Sequence, residues 1–466
     1  MKTAFTHYNL FYMLVGVVML QACSLDVPYE NQFSDPDAIT TPQMARELLA
    51  TAYSDLPHPE FQLSVLADDY TPTSWIKRNT DLENLYKWEP QPIIDFSCTL
   101  WQDYYSVVVT LNTLLERLPA VQGDAKVVSR IEAEAKALKA LCYFDLLRLF
   151  APDYMDGKDK PGIVLKDKVE LGFLSRTNIE GCVTAIRSLL TEAVSAMSAD
   201  AGECYWLSRS SSLYLLAQVE LYAGNYGDAA SYAGQVMADA EVMETLTPTA
   251  YANLWSGNGS SERLFAFYSP NLASSFYQEI VYDANSGDYL AMNNALASSY
   301  EDGDIRGDYT VYPFQTSLRV ADYFGKYNRM RKEKQEIAYI NKMRTAGVCL
   351  LLAEAYCLDG EHEEQAVALM NEYLQKRGAS PLDEGLSGNA LLRRVLNEKW
   401  KEFAGEGQRF FDLKRYRHTL LSMWATSAGK NVSADDYRWN FPIPKEEYLY
   451  NDNIKQNEGW NQQQIQ

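Results

Sequence analysis

Basic charge is scarce in this 466-residue chain. Its 42 Lys and Arg face 62 Asp and Glu, a formal charge of -20. A surface of that sign repels phosphate backbones and anionic headgroups, so nucleic acid is excluded as a partner. Histidine is scarcer still: His7, His58, His362 and His418 are the only four, and none joins a cysteine in a zinc-type cluster. There is no C-x-x-C pair, which removes zinc-ribbon and dithiol redox chemistry. There is no P-loop and no G-x-S-x-G elbow. No metal and no cofactor is expected. After residue 20 no apolar run reaches the roughly 20 residues that a membrane-spanning helix needs.

What is present begins at the N-terminus. Lys2 precedes an apolar run from Leu10 to Leu20, too short to span a bilayer but of secretory-signal length. The run ends Leu20-Gln21-Ala22-Cys23, which is similar to a bacterial lipoprotein box. That likeness implies cleavage before Cys23 and lipid on its sulfur and amine. Two or more acyl chains hold a protein stably at about 0.8 kcal/mol per buried CH₂, whereas one holds it reversibly. Residues 1–22 are then the signal peptide, and residues 23–40, polar and proline-containing, form a lipidated flexible tether. The other six cysteines, Cys98, Cys142, Cys182, Cys204, Cys349 and Cys357, sit mostly among apolar helical residues and read as small core side chains.

Residues 41–466 read as one mostly α-helical globular domain, with an N-terminal part to 245 and a C-terminal part from 246. Pro42 suits the first turn of a helix over 42–54. A proline-studded stretch from Leu56 to about Thr99 reads as irregular. Helices follow over 101–119 and 127–151, then over 177–197, where Thr177 or Asn178 can cap. Two stretches match in register: LLAQVELYAGNYGDAA from Leu215 and LLAEAYCLDGEHEEQA from Leu351. Leu215, Leu216 and Ala217 fall on Leu351, Leu352 and Ala353, Gly224 on Gly360, and Ala230 on Ala366. Small residues for close approach, a Gly reversal and a second inner Ala are the physical logic of a tetratricopeptide-type hairpin. The copies lie far apart, so the repeats do not form one unbroken array in sequence. Between them, residues 250–325 read as loops on the helical scaffold, with one strand at SERLFAFYS.

Chemistry on this chain has few candidates. A glycosidase needs two carboxylates facing across a cleft, and Asp68, Asp69, Asp283, Asp288, Asp302 and Asp304 supply the loop acids. Asp283 to Asp288 misses the calcium-loop pattern, with Gly287 at a ligand position and Asn294 where the bidentate Glu belongs. Glu402, Glu406 and Arg409, at spacings of four and three, are expected on one helix face in ion pairs. That leaves rings on loops. The 32 Tyr and 9 Trp offer amphipathic platforms. Tyr70 and Trp75 in the first loop-rich stretch, and Tyr268, Tyr277, Tyr282 and Tyr289 in the second, are the candidate ligand-binding residues. Trp88 and Trp101 read as core.

Near the C-terminus the residues become specific. LLRRVLNEKWKEFAGEGQRFFDLKRY (Leu391 to Tyr416) resembles the hallmark helix of the RagB/SusD family, and FPIPKEEYLYNDNIKQNEGW (Phe441 to Trp460) its closing segment. NKMRTAGVCLLLAEAYCLDGEHEEQAVALMNEYLQKRGA is similar to its third helical hairpin, with Asn371, Arg377 and Gly378, and WQDYYSVVVTLNTLLERLP to its first. The resemblance implies a mostly helical outer-membrane lipoprotein of Bacteroidetes in which four tetratricopeptide-like hairpins support a loop-rich region. It further implies surface exposure, capture of an oligomeric nutrient, most often a glycan, and a lid-like seat on a SusC-like TonB-dependent transporter, without chemistry. The same arrangement serves peptides, a surface hydrolase would need facing carboxylates, and a plain scaffold would lack aromatic platforms.

Overall fold

The computed structural model describes residues 39–170, 172–198, 202–238, 243–268, 289–315, 320–327 and 338–460. Cys23, Tyr277 and Tyr282 lie outside the described residues, as do Asp283 and Asp288. The body takes hold before residue 41. Ile39 is buried, and the Thr40 carbonyl accepts the Gln122 amide at 3.0 Å.

Helix α1, Pro42–Ser54, starts on its proline, with the Thr41 hydroxyl accepting from the Met44 amide. The stretch expected to be irregular is structured. It holds α2 (Glu60–Leu66), β1 (Tyr70–Pro72) and α3 (Thr80–Tyr86), and its end is already part of α4 (Pro90–Arg117). Pro90 and Pro92 occupy the first turn of α4, where amides have no intrahelical acceptor to lose, so these prolines start a helix instead of breaking one. Next come α5 (Ala125–Phe150), α6 (Ile179–Ala196), α7 (Arg209–Tyr222) and α8 (Tyr226–Met237). Asn178, not Thr177, caps α6, its side chain accepting from the Gly181 amide at 2.9 Å. The strands are β2 (Arg263–Tyr268), β3 (Leu290–Met292), β4 (Val311–Gln315), β5 (Val320–Phe324) and β6 (Tyr339–Arg344). The chain then forms α9 (Thr345–Asp359), α10 (Glu363–Arg377), α11 (Gly388–Glu402) and α12 (Gln408–Tyr416).

From α4 to α11 each helix packs on the next. The tight hairpins α7–α8 and α9–α10 adjoin through α8 and α9, across the long segment that separates them in sequence. The matched stretches therefore adjoin in space although they are distant in sequence. Gly224 (φ +78°) and Gly360 (φ +70°) make the reversals that the matched positions predicted. The inserted segment carries most of three two-stranded antiparallel sheets, β1–β3, β2–β6 and β4–β5. Tyr70 pairs with Met292 and Pro72 with Leu290, while Tyr268 pairs with Tyr339.

Trp88 and Trp101 are core residues. Trp88 packs on Trp439, Trp424 and Phe410, and its indole N–H donates to the Leu66 carbonyl at 2.9 Å. The 391–416 run is not one helix. Gly405 and Gly407, at φ +75° and +74°, turn the chain between α11 and α12, so Glu402, Glu406 and Arg409 do not share a helix face. Each pairs with a distant element instead. Arg344 at the end of β6 pairs with Glu402, with Glu406 (2.8 Å) and with Glu262 (3.1 Å), and Arg377 pairs with Glu262 at 2.7 Å. Burial alone would push the Glu402 carboxyl up, but Arg377, Arg344 and Arg306 outweigh it and hold it far below the ordinary carboxylate range.

Candidate functional site

The loop-rich face is positioned by two neighbouring acids. The Asp68 carboxylate takes a bidentate pair from Arg409, Nε at 2.8 Å and Nη2 at 3.0 Å. Asp69 accepts from the Trp400 indole at 2.8 Å and from the Gly405 amide at 3.1 Å. Their backbone carbonyls both receive Asn293, through its side chain on Asp68 and its amide on Asp69, each at 2.8 Å. The pair thus ties the β1–β3 ribbon to the α11–α12 turn. Burial, then the Asp68 charge, push the Asp69 carboxyl up to about 6. Asp304 is likewise committed, its carboxylate held by Arg306 at 2.7 Å. Asp68, Asp69 and Asp304 are buried structural ions, and Asp302 sits apart on an exposed turn. Among the described residues these four acids provide no facing pair, and no group of metal-holding side chains occurs.

The aromatic candidates divide. Tyr70 is corrected to core: it is 3 % exposed, its ring against Phe61 and Phe324 at 5.7 and 4.8 Å. Strand alternation turns Tyr70 inward and leaves Thr71 outside. Trp75 is half-buried, with the Arg78 guanidinium 4.3 Å from its ring centre. Tyr289 is half-buried close by, since its carbonyl accepts the Thr73 amide at 2.9 Å. The β1–β3 ribbon therefore sets the Tyr289 backbone two residues from Trp75, with the Tyr289 side chain partly packed on the core.

Tyr268 lies at the end of β2 and is 47 % exposed. It stacks on Tyr205 at 5.4 Å and 28°, and contacts Tyr339 across the ladder at 5.0 Å. The Arg263 guanidinium lies 4.3 Å over Tyr339. Tyr205 is fixed because the Ala266 amide donates to the Cys204 carbonyl at 2.9 Å, and its neighbour Trp206 packs edge-on against Tyr53 at 5.1 Å. Tyr205 and Tyr339, which the structure adds to the candidate surface, are not singled out by the sequence. The only sequence signal was the Tyr205-Trp206 doublet in a polar connection. The two aromatic surfaces flank the two ends of the segment 269–288, one at Tyr268 and the other at Tyr289. Rigidly held rings with cationic and hydroxyl edges can stack flat, partly apolar ligands and hydrogen-bond their rims.

Comparison with known proteins agrees with this architecture. Residues 24–222 match a family described as starch-binding and associating with the outer membrane, and residues 265–460 match the SusD family. SusD-like protein P38 of Formosa agariphila is 23 % identical over 476 residues, covering 87 % of this chain and 90 % of the relative. A SusD superfamily protein of Bacteroides vulgatus superposes with a TM-score of 0.75 at 21 % identity, over 91 % of this chain and all of that one. A laminarin-binding SusD-like protein superposes at 0.71 with 19 % identity, over 90 % of this chain and all of that one. The two family matches, spanning both halves of the helical scaffold and the ribbons it carries, show that this chain belongs to the SusD family.

Proposed function

We propose that this protein is a surface lipoprotein of the outer membrane, anchored through lipid on Cys23. It captures an oligosaccharide and passes it unaltered to a SusC-like TonB-dependent transporter. The observation that carries the reading is the assembly of the Tyr205, Tyr268 and Tyr339 rings from separate chain segments, with half-buried Trp75 and Tyr289 on the β1–β3 ribbon. The family description and the laminarin-binding neighbour support a glycan as the cargo. A sugar face laid on one ring buries about 100 Å², worth roughly 2 kcal/mol. Two or three such platforms with hydrogen bonds give micromolar to millimolar affinity, suited to a carrier that must release its load. The engagement of Asp68 and Asp304 in buried ion pairs, and of Asp69 in buried hydrogen bonds, supports capture without hydrolysis.

The test is affinity electrophoresis of residues 24–466 through gels containing a panel of glycans, laminarin included. Retardation by at least one glycan, reduced several-fold in Trp75→Ala, is the expected result. Equal mobility in every gel overturns the reading. For the anchor, palmitate labelling of the full-length protein is expected to vanish in Cys23→Ser.

A further inference from the structure

A cavity of about 90 Å³ lies where α12 meets the helical scaffold. Alternate helices of the array line one side of it, with Arg148 from α5, Gln218 from α7, Glu354 from α9 and Lys399 from α11. Opposite them α12 presents Gln408, Asp412 and Arg415, which spacings of four and three place on one helix face. Phe144, Leu351 and Phe403 supply apolar wall between the charged groups. None of the rings at Trp75, Tyr205, Tyr268, Tyr289 or Tyr339 lines it, so the cavity is separate from the candidate glycan surface.

Most of the charges around the cavity are already matched. Lys399 bridges Glu354 and Asp412 at 2.7 and 2.6 Å, and the Tyr416 hydroxyl donates to Glu354 at 2.7 Å. Arg148 pairs with Asp145 at 2.5 Å, its guanidinium between the Phe144 and Phe411 rings at 4.4 and 3.9 Å. Lys414 donates to the Arg148 and Ala151 carbonyls, both at 2.7 Å, and burial with the Arg417 charge lowers its ammonium to about 7. Asp153 accepts the Met155 amide at 3.2 Å, and burial raises its carboxyl against the pull of Arg415. These last two groups lean toward their neutral forms. Arg415 does not. Its guanidinium, half-buried on the cavity wall, has the Tyr416 and Tyr226 rings at 5.7 and 6.0 Å but no hydrogen bond and no ion pair among the described residues. The Gln408 amide, two turns away on the same face, also lacks a hydrogen bond among them.

An unmatched guanidinium on a partly apolar wall suits a carboxylate, because its planar fork donates two parallel hydrogen bonds to the two oxygens. The volume sets the size: at about 10–15 Å³ for each water-sized group, the cavity takes roughly six to nine of them. That is too small for a single hexose and right for a short aliphatic or one-ring acid. A bare inorganic anion would leave the apolar wall uncovered. We propose that this cavity binds a small organic carboxylate, its two oxygens on the Arg415 guanidinium and its apolar body against Phe144, Leu351 and Phe403. The bound molecule fastens α12 to the scaffold helices from within. The site stands whether or not a glycan is the cargo.

The test is calorimetry of residues 24–466 against butyrate, hexanoate and benzoate, against the matching neutral amides, and against inorganic phosphate. At least one carboxylate is expected to bind with a Kd below about 1 mM, and its amide at least about ten-fold more weakly. Arg415→Gln is expected to lose at least about ten-fold in carboxylate affinity. Because Arg415 has no partner to leave behind, the same variant should keep its thermal midpoint within about 2 °C of wild type. No carboxylate binding at concentrations on the order of 10 mM, equal affinity for the amide, or unchanged affinity in Arg415→Gln overturns the proposal. A larger fall in the midpoint of Arg415→Gln also overturns it, since the guanidinium would then be holding the fold. Phosphate bound as tightly as the best carboxylate overturns it in favour of a general anion site.

Discussion

Removing one carboxylate, Asp68→Ala, tests whether the loop-rich face hangs on the Asp68–Arg409 clamp. Arg409 is buried, lies over the Trp400 ring at 4.5 Å, and takes its bidentate partner from Asp68. Alanine leaves that guanidinium in the interior without its counter-ion. Breaking one side of a buried pair costs about 3–5 kcal/mol, whereas replacing both sides by apolar groups is often near neutral. Asp68→Ala and Arg409→Leu are each expected to lower unfolding free energy by about 3 kcal/mol or more, and the double variant by at least about 2 kcal/mol less than their sum. Guanidinium titration followed by tryptophan fluorescence reads all four corners of the cycle. A single-variant loss under about 1 kcal/mol, or simple additivity, would refute the clamp.

Gly378 caps α10 at φ +73°, and a Cβ there would stand 2.3 Å from the Gly303 carbonyl oxygen. Gly378→Ala is expected to cost about 2–4 kcal/mol by thermal unfolding, while Gly360→Ala, at φ +70° in open space, costs only about 1 kcal/mol. Equal losses would show that the close approach to Gly303 does not matter. Burial, then the Lys342 charge, lower the His58 imidazole from 6.5 to about 3. The unfolded chain therefore binds a proton that the folded chain refuses. Stability from this group is intact above pH 6.5 and drains away as pH falls toward 3, by up to about 1.4 kcal/mol per unit. Asp69, raised from 3.8 to about 6, works in the opposite sense over its own window. Urea titrations of wild type and His58→Gln are expected to converge by about 1–2 kcal/mol between pH 6.5 and 5. A constant gap would mean that His58 titrates normally.

The scaffold was legible because helices advertise themselves locally. The match of Gly224 with Gly360, and of Ala230 with Ala366, carried both a turn geometry and an inner face, and both stand in the structure. Pro90 and Pro92 misled because proline has two meanings: it breaks a helix from inside and starts one from its first turn. Glu402, Glu406 and Arg409 misled because spacing assumes an unbroken helix, while Gly405 and Gly407 turn the chain between them. The site was legible only in part. Trp75, Tyr268 and Tyr289 stand at the surface or half-buried, but Tyr70 faces inward, a choice made by pairing with β3, some 220 residues away in sequence. Tyr205 and Tyr339 join Tyr268 by tertiary packing alone, which no local pattern records.

Calorimetry of residues 24–466 against laminarin and a wider glycan panel, with mass spectrometry of the recovered glycan, addresses the central claim of capture without chemistry. At least one glycan is predicted to bind in the micromolar to millimolar range and return at unchanged mass. Tyr268→Ala is predicted to weaken that binding roughly 5- to 30-fold, the loss of about 1–2 kcal/mol of stacking. Shortened product, or affinity unchanged in both Tyr268→Ala and Trp75→Ala, would contradict it.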